Sequence, residues 1–128
     1  INTRSSDMNL DETTKIMAIR AADARGIILP FVLAHAVTLL VLGFGGAGLE
    51  NSGVQLALAA WAVLGSLWSV LWLDDAVQDL VAAGKDMPEE FKKSHMGQRL
   101  EKAPLGAVRL MNVVVVGLIV AAELIAIY

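Results

Sequence analysis

"LVLGFGGAGLENSG", residues 40–53, contains a G-x-G-x-x-G at Gly43, Gly45 and Gly48. How it is read decides the fold. In a dinucleotide site the glycines follow a strand and open a helix facing a pyrophosphate, all within a βαβ unit. Here they follow "IILPFVLAHAVTLLV" and precede "LENSGVQLALAAWAVL". Both flanks are long, uniformly apolar and helix-like, and no strand pattern precedes the glycines. The simpler reading is a reversal between two helices, with glycine supplying the backbone freedom that ends a helix. Asn51 or Ser52 then caps the next helix, with Glu50 near its positive end.

No charge occurs from Gly26 to Leu49, 24 residues, or from Asn51 to Leu73, 23 residues. A third apolar stretch, Leu105–Tyr128, carries only Arg109 and Glu123. About 20 apolar residues in a helix cross a hydrocarbon core. The apolar fraction of 56% and mean hydropathy of +0.62 agree with this. The expectation is an all-α integral membrane protein of 128 residues in one domain. Its crossings fall at 27–46, 52–73 and 105–127, with an N-terminal interfacial helix at 1–25 and a helical connection at 74–104. The chain opens at Ile1, as expected of a processed or partial product, and its first apolar run starts too far in for a signal peptide.

Three crossings place residues 1–26 and 74–104 on one side. All ten Lys and Arg fall there, from Arg4 to Arg109, and none near the turn or the C-terminus. The positive-inside rule makes that side the cytoplasm, stroma or matrix, with the C-terminus opposite. A net charge of −3 gives no nucleic-acid footprint, and the absence of cysteine excludes thiolate chemistry and disulfides.

The segment "SDMNLDETTKIMAIRAADARG" (residues 6–26) reads as a helix along the headgroups, or one that docks a partner subunit. The continuation "DDAVQDLVAAG" prolongs the second helix to a stop at Gly84, and "PEEFKKSHMGQRL" forms a short helix after Pro88. Acids on the basic side are interleaved with Lys and Arg, so Asp74, Asp75 and Asp79 read as a solvated face and no metal site is expected. Arg109 is expected to meet Glu101 or Asp74, and Glu123 to lie at the far interface.

Polar side chains within the apolar runs are the functional candidates. His35 sits nine residues beyond Gly26, about 13 Å deep. Neutral imidazole there can ligate heme iron or chlorophyll magnesium, or donate to a quinone. Otherwise it bonds a neighbouring helix through Ser66 or Asn112. Trp61, Trp68 and Trp72 share one helix face, a flat apolar wall suited to a lipid, carotenoid or chlorophyll, or to ordinary packing. Gly65 with Ser69, and Gly117 with Ala121, are small-xxx-small pairs suited to close helix packing within the chain or against a partner. The candidate pigment, lipid or heme contacts are therefore His35, Trp61, Trp68 and Asn112.

No catalytic constellation is present, so no enzyme activity is expected. The foremost expectation is an accessory subunit of a larger photosynthetic or respiratory membrane complex, in contact with lipids and other membrane subunits. Its cofactor would be chlorophyll, carotenoid or lipid ahead of heme or quinone. A small homo-oligomeric channel or transporter comes second, because no continuous polar face runs through any one helix. A redox-cofactor anchor subunit, with His35 as one ligand, comes third. Light-harvesting proteins and the small subunits of quinone-linked dehydrogenases share the three-crossing plan, but their residue patterns are absent here.

Overall fold

The computed structural model describes residues 3–128, with side chains from Leu10 onward. Every regular element among these is helical: α1 (Thr3–Phe44), α2 (Ser52–Lys85), α3 (Glu89–Lys93), α4 (His95–Glu101) and α5 (Leu105–Ile127). Three of them, α1, α2 and α5, are long and apolar enough to cross a membrane.

The glycine-rich stretch is a reversal. Helix α1 ends at Phe44, two residues before the expected boundary, and a short 3-10 turn occupies Gly46–Glu50. Two glycines there are required by geometry. Gly46 has φ +52°, and a Cβ at Gly45 would stand 2.6 Å from the Val41 carbonyl oxygen. Asn51 then caps α2, its side-chain oxygen accepting from Gly53 N at 2.9 Å and Val54 N at 3.3 Å. A cap of this kind contributes about 1 kcal/mol.

The N-terminal segment departs from the expected interfacial helix. Helix α1 runs unbroken through Arg25 and Gly26 into the apolar stretch. Pro30 lies inside this helix and does not end it. Arg20 explains the arrangement, because it bonds Asp79, lies 3.6 Å from Asp75 and 3.3 Å from Asp23. Two of those acids belong to the polar end of α2. The charged halves of α1 and α2 therefore continue side by side as a two-helix arm, and Asp75 and Asp79 form part of a cross-helix ion network. Asp79 first, then Asp23, raises the Arg20 guanidinium above its ordinary pKa.

Helix α2 reaches Lys85, one residue past the stop expected at Gly84, with Asp86 closing its end. The expected single helix after Pro88 is two. Ser94 divides them, its hydroxyl donating to the Phe91 carbonyl at 2.6 Å and accepting from Gly97 N at 3.1 Å. It ends α3 and caps α4 with one side chain. Helix α4 returns to the end of α2, where Leu100 lies over Gly84 so closely that a Cβ there would meet its Cδ2 at 2.0 Å.

Helix α2 is central, packing on α1 and on α5, while α1 and α5 touch less. Most buried positions are small: Ala62 and Ala76 are 1% exposed, Ser66 2% and Thr38 4%. Large apolar side chains such as Leu33, Leu64, Leu118 and Ile125 point outward. Small residues between helices with long apolar ones outside is the arrangement of a helix bundle in lipid, where packing rather than water exclusion drives association. The expected packing pairs are not the seam. A Cβ at Gly65 or Gly117 would meet nothing within 4 Å, and Gly117 and Ala121 face outward. The seam is Ala62, Ser66 and Ala76 instead.

Two ties fix α5 on α2. At the charged end, Arg109 grips Asp74 in a fork, Nε to Oδ1 at 2.5 Å and Nη2 to Oδ2 at 2.9 Å. Of the two acids the sequence offers Arg109, the fold selects Asp74 over Glu101. The guanidinium is the main cause of Asp74 lying below the usual carboxylate pKa, burial acting the other way. At the opposite end, Gln55 Nε2 donates to the Ile127 carbonyl at 3.0 Å. That bond satisfies one of the acceptors every helix C-terminus leaves open.

Candidate functional site

Between the ties, α1, α2 and α5 each bring one polar side chain to a common point. His35 Nδ1 is 2.7 Å from Glu123 Oε1, and His35 Nε2 is 3.1 Å from Ser66 Oγ. Glu123 is 1% exposed and is the largest fully buried side chain among the described residues. The expectation that Glu123 lies at the interface is therefore corrected. It turns inward because its helix position faces α1, and the imidazole there supplies the hydrogen bond that a buried carboxyl needs. Its second oxygen, Oε2, is buried without a hydrogen-bond partner.

The imidazole is held on its faces as well as its edges. Phe31, one turn earlier on α1, lies with its ring centroid 4.2 Å from that of His35, tilted by 53°. The side chain of His35 is 12% exposed, and that exposure opens onto a groove. The groove lies between α1 and α2 and has a volume of about 820 Å³. Trp61, Trp68 and Trp72 form its α2 wall, with Pro30 and Phe31 on the α1 side and Ser66 and Ser69 at its floor. Trp68 and Trp72 stand 6.3 Å apart between centroids. Ser69 donates to the Gly65 carbonyl at 2.9 Å and so offers no free donor. Gly65 also lines the groove, and the absence of a side chain there is part of what makes it wide.

The predicted contact residues thus divide. His35, Trp61 and Trp68 line one groove, joined by Trp72, Gly65 and Ser69. Asn112 does not join them. It borders a second, smaller cavity of about 160 Å³ between α2 and α5, with Ile27 and Phe31 on its α1 side. Of the two partners weighed for His35, Ser66 is the one observed, and Asn112 takes no part in the network. The member missing from the sequence reading is Glu123. Its signal was available, since a carboxylate inside an apolar run is costly unless paired. Its nearness to Tyr128 masked that signal.

A wall of aromatic rings with few polar groups suits a flat or chain-like apolar ligand, oriented by one convergent polar edge. Among the described residues no three His, Asp or Glu side chains converge to hold a bare metal ion. Comparison with protein families, curated proteins and solved structures finds no match for this chain.

Proposed function

We propose that this chain is a non-catalytic accessory subunit of a larger energy-transducing membrane complex, photosynthetic or respiratory, holding a pigment or lipid between α1 and α2. The observation that carries this reading is the tryptophan-walled groove, which presents one polar edge, His35 with Ser66, in an otherwise apolar surface. Its volume of about 820 Å³ falls within the roughly 300–1,000 Å³ of small-molecule sites. The outward-facing Gly117 and Ala121 on α5 suit close approach by a helix of another subunit. In this reading α1, α2 and α5 span the bilayer, with the basic arm and the 86–104 connection on the cytoplasmic, stromal or matrix side.

The test is gentle solubilisation of the native membrane, separation on a native gel, and absorbance with lipid extraction on the band containing this chain. Migration with large, many-subunit material that yields a stoichiometric lipid-soluble ligand supports the proposal. A small homo-oligomer without ligand overturns it.

One observation favours a second reading, a small homo-oligomeric channel or transporter. Two ionisable side chains, His35 and Glu123, face each other inside the apolar layer, a placement typical of ion and proton pathways. It ranks second because the nearby hydroxyls of Thr38 and Ser69 bond their own helices, at 3.0 and 2.9 Å, and line no continuous polar path.

A further inference from the structure

We infer that Glu123 is a neutral carboxylic acid donating from Oε1 to His35 Nδ1, and that this buried acid is a proton-binding site that latches α5 to α1 and releases it when the proton leaves. The inference stands apart from the groove reading and involves no groove ligand.

The two hydrogen bonds of the imidazole admit two arrangements that differ by one proton. In the first, the carboxyl is ionised and can only accept, so Nδ1 carries the ring hydrogen and Ser66 donates to Nε2. In the second, the carboxyl keeps its proton and donates to Nδ1, while Nε2 carries the ring hydrogen and donates to Ser66 Oγ. Ser66 then turns its own hydrogen to the carbonyl one turn back, as Ser69 and Thr38 do. The other oxygen of Glu123 decides between the two. An ionised carboxylate spreads its charge over both oxygens, and Oε2 is buried with no hydrogen-bond partner. Much of the charge would then sit bare in the apolar layer, which is far costlier than a neutral carbonyl oxygen lacking one bond. Moving the proton to His35 to make a buried ion pair leaves the same bare oxygen, and desolvating two charges offsets their attraction.

No other group facing the carboxyl can replace the proton. On α1 the one titratable side chain between Gly26 and Phe44 is His35, and α2 has none between Asn51 and Leu73. On α5 the only other charge is Arg109, which lies about 21 Å back along the axis and is bound to Asp74. At the near end stand Glu50 in the reversal and Tyr128, both exposed, and neither supplies positive charge. Loss of the proton therefore leaves one uncompensated negative charge, which is relieved only by reaching water. Glu123 is one turn from the end of α5, about 6 Å along the axis. Among the described residues, one side-chain bond, Gln55 to the Ile127 carbonyl, holds that end, and α5 packs less on α1 than on α2. The last two turns of α5 thus move outward, and the proton passes to the compartment on the C-terminal side. The closed bundle binds the proton and the hydrated, open one gives it up, so acidity favours the closed form and alkalinity the open one.

The full-length chain in lipid nanodiscs is measured by infrared spectroscopy, for the carbonyl stretch of a protonated carboxyl. In parallel, spin labels on Leu40→Cys of α1 and Ile125→Cys of α5, both exposed positions, report the distance between the helices. Near neutral pH the parent should show a carboxylic-acid band that E123Q lacks. Raising the pH should remove the band and, over the same range, lengthen the distance. E123Q keeps the shape and neutrality of the protonated side chain, so its distance should stay short at every pH. H35Q, a weaker acceptor, should keep the band and move it to higher frequency. Absence of a band sensitive to E123Q, or a band unmoved in H35Q, overturns the neutral acid bonded to His35. Loss of the band at constant distance, or a pH-driven change of distance that persists in E123Q, overturns the latch. The groove ligand is decided separately, by the lipid extract of the native band.

Discussion

Glu123 Oε1 lies 2.7 Å from His35 Nδ1, joining α5 to α1 across the interior of a bundle whose other buried side chains are mostly small. The carboxyl group sits where hydration cannot reach it, so His35 is its main source of stabilisation. Replacing His35 by Leu should leave the buried carboxyl group without its hydrogen-bond partner and cost about 1–3 kcal/mol, the usual penalty for orphaning a buried polar group. Replacing both, as His35→Leu with Glu123→Leu, should recover most of that loss. Thermal unfolding in detergent of the two single variants and the double checks the coupling. Additive losses would show that the pair does not interact.

Gly65 separates ligand binding from folding. A Cβ there meets nothing within 4 Å and projects into the groove. If the groove holds a pigment or lipid as proposed, Gly65→Leu should fill part of the tryptophan-walled space, prevent that ligand from co-purifying and leave the melting temperature of the ligand-free chain within a few degrees of the parent. Retention of the full complement of ligand would place the ligand elsewhere.

The glycines differ sharply in tolerance. At Gly97 a Cβ would stand 2.1 Å from the Phe91 carbonyl oxygen and 2.7 Å from Lys92 Cα, both backbone atoms that cannot swing aside. Gly97→Ala should therefore open the junction of α3 and α4, at a cost of about 1–3 kcal/mol for overpacking. Proteolysis and hydrogen exchange should rise over residues 88–101 with α5 unaffected. Gly117→Ala meets open space and should change neither.

Asp74 gives the charged end of the bundle a pH dependence. Arg109 lowers its pKa in the folded chain, so its contribution is complete above the ordinary aspartate value. It is lost as the pH falls below that value and through the lowered one. Asp74→Asn removes this component, so the parent and variant should converge in stability on acidification and diverge toward neutrality. Parallel curves would show that the fork contributes no pH-dependent stability.

Sidedness is open to direct measurement because the chain has no cysteine. Single variants Lys93→Cys and Ala47→Cys, in the connection and the reversal respectively, should react with a membrane-impermeant thiol reagent from opposite faces of sealed vesicles. Lys93→Cys is expected on the cytoplasmic, stromal or matrix face. Labelling of both from one face would eliminate the three-crossing topology.

The sequence by itself determined the three long apolar helices and the reversal between the first two. Runs of 24 and 23 uncharged residues leave a backbone no economical way to satisfy its polar groups in an apolar layer except helix. Gly45, Gly46 and Asn51 mark the reversal by local chemistry alone. Periodicity likewise put the three tryptophans on one face, and length put His35 deep. What tertiary structure decided is which residues meet. Arg20 finds Asp75 and Asp79 because α1 and α2 run on together past their apolar stretches, which turns an expected surface helix into an arm. Glu123 is near the end of its own helix, so counting along the chain puts it at a boundary. Whether a side chain on α5 faces outward or toward His35 depends on the rotation and offset of α5 against its neighbours, which Asp74–Arg109 and Gln55–Ile127 fix from the two ends. Local sequence carries no record of that offset, because it is set by contacts between residues 35 to 88 positions apart.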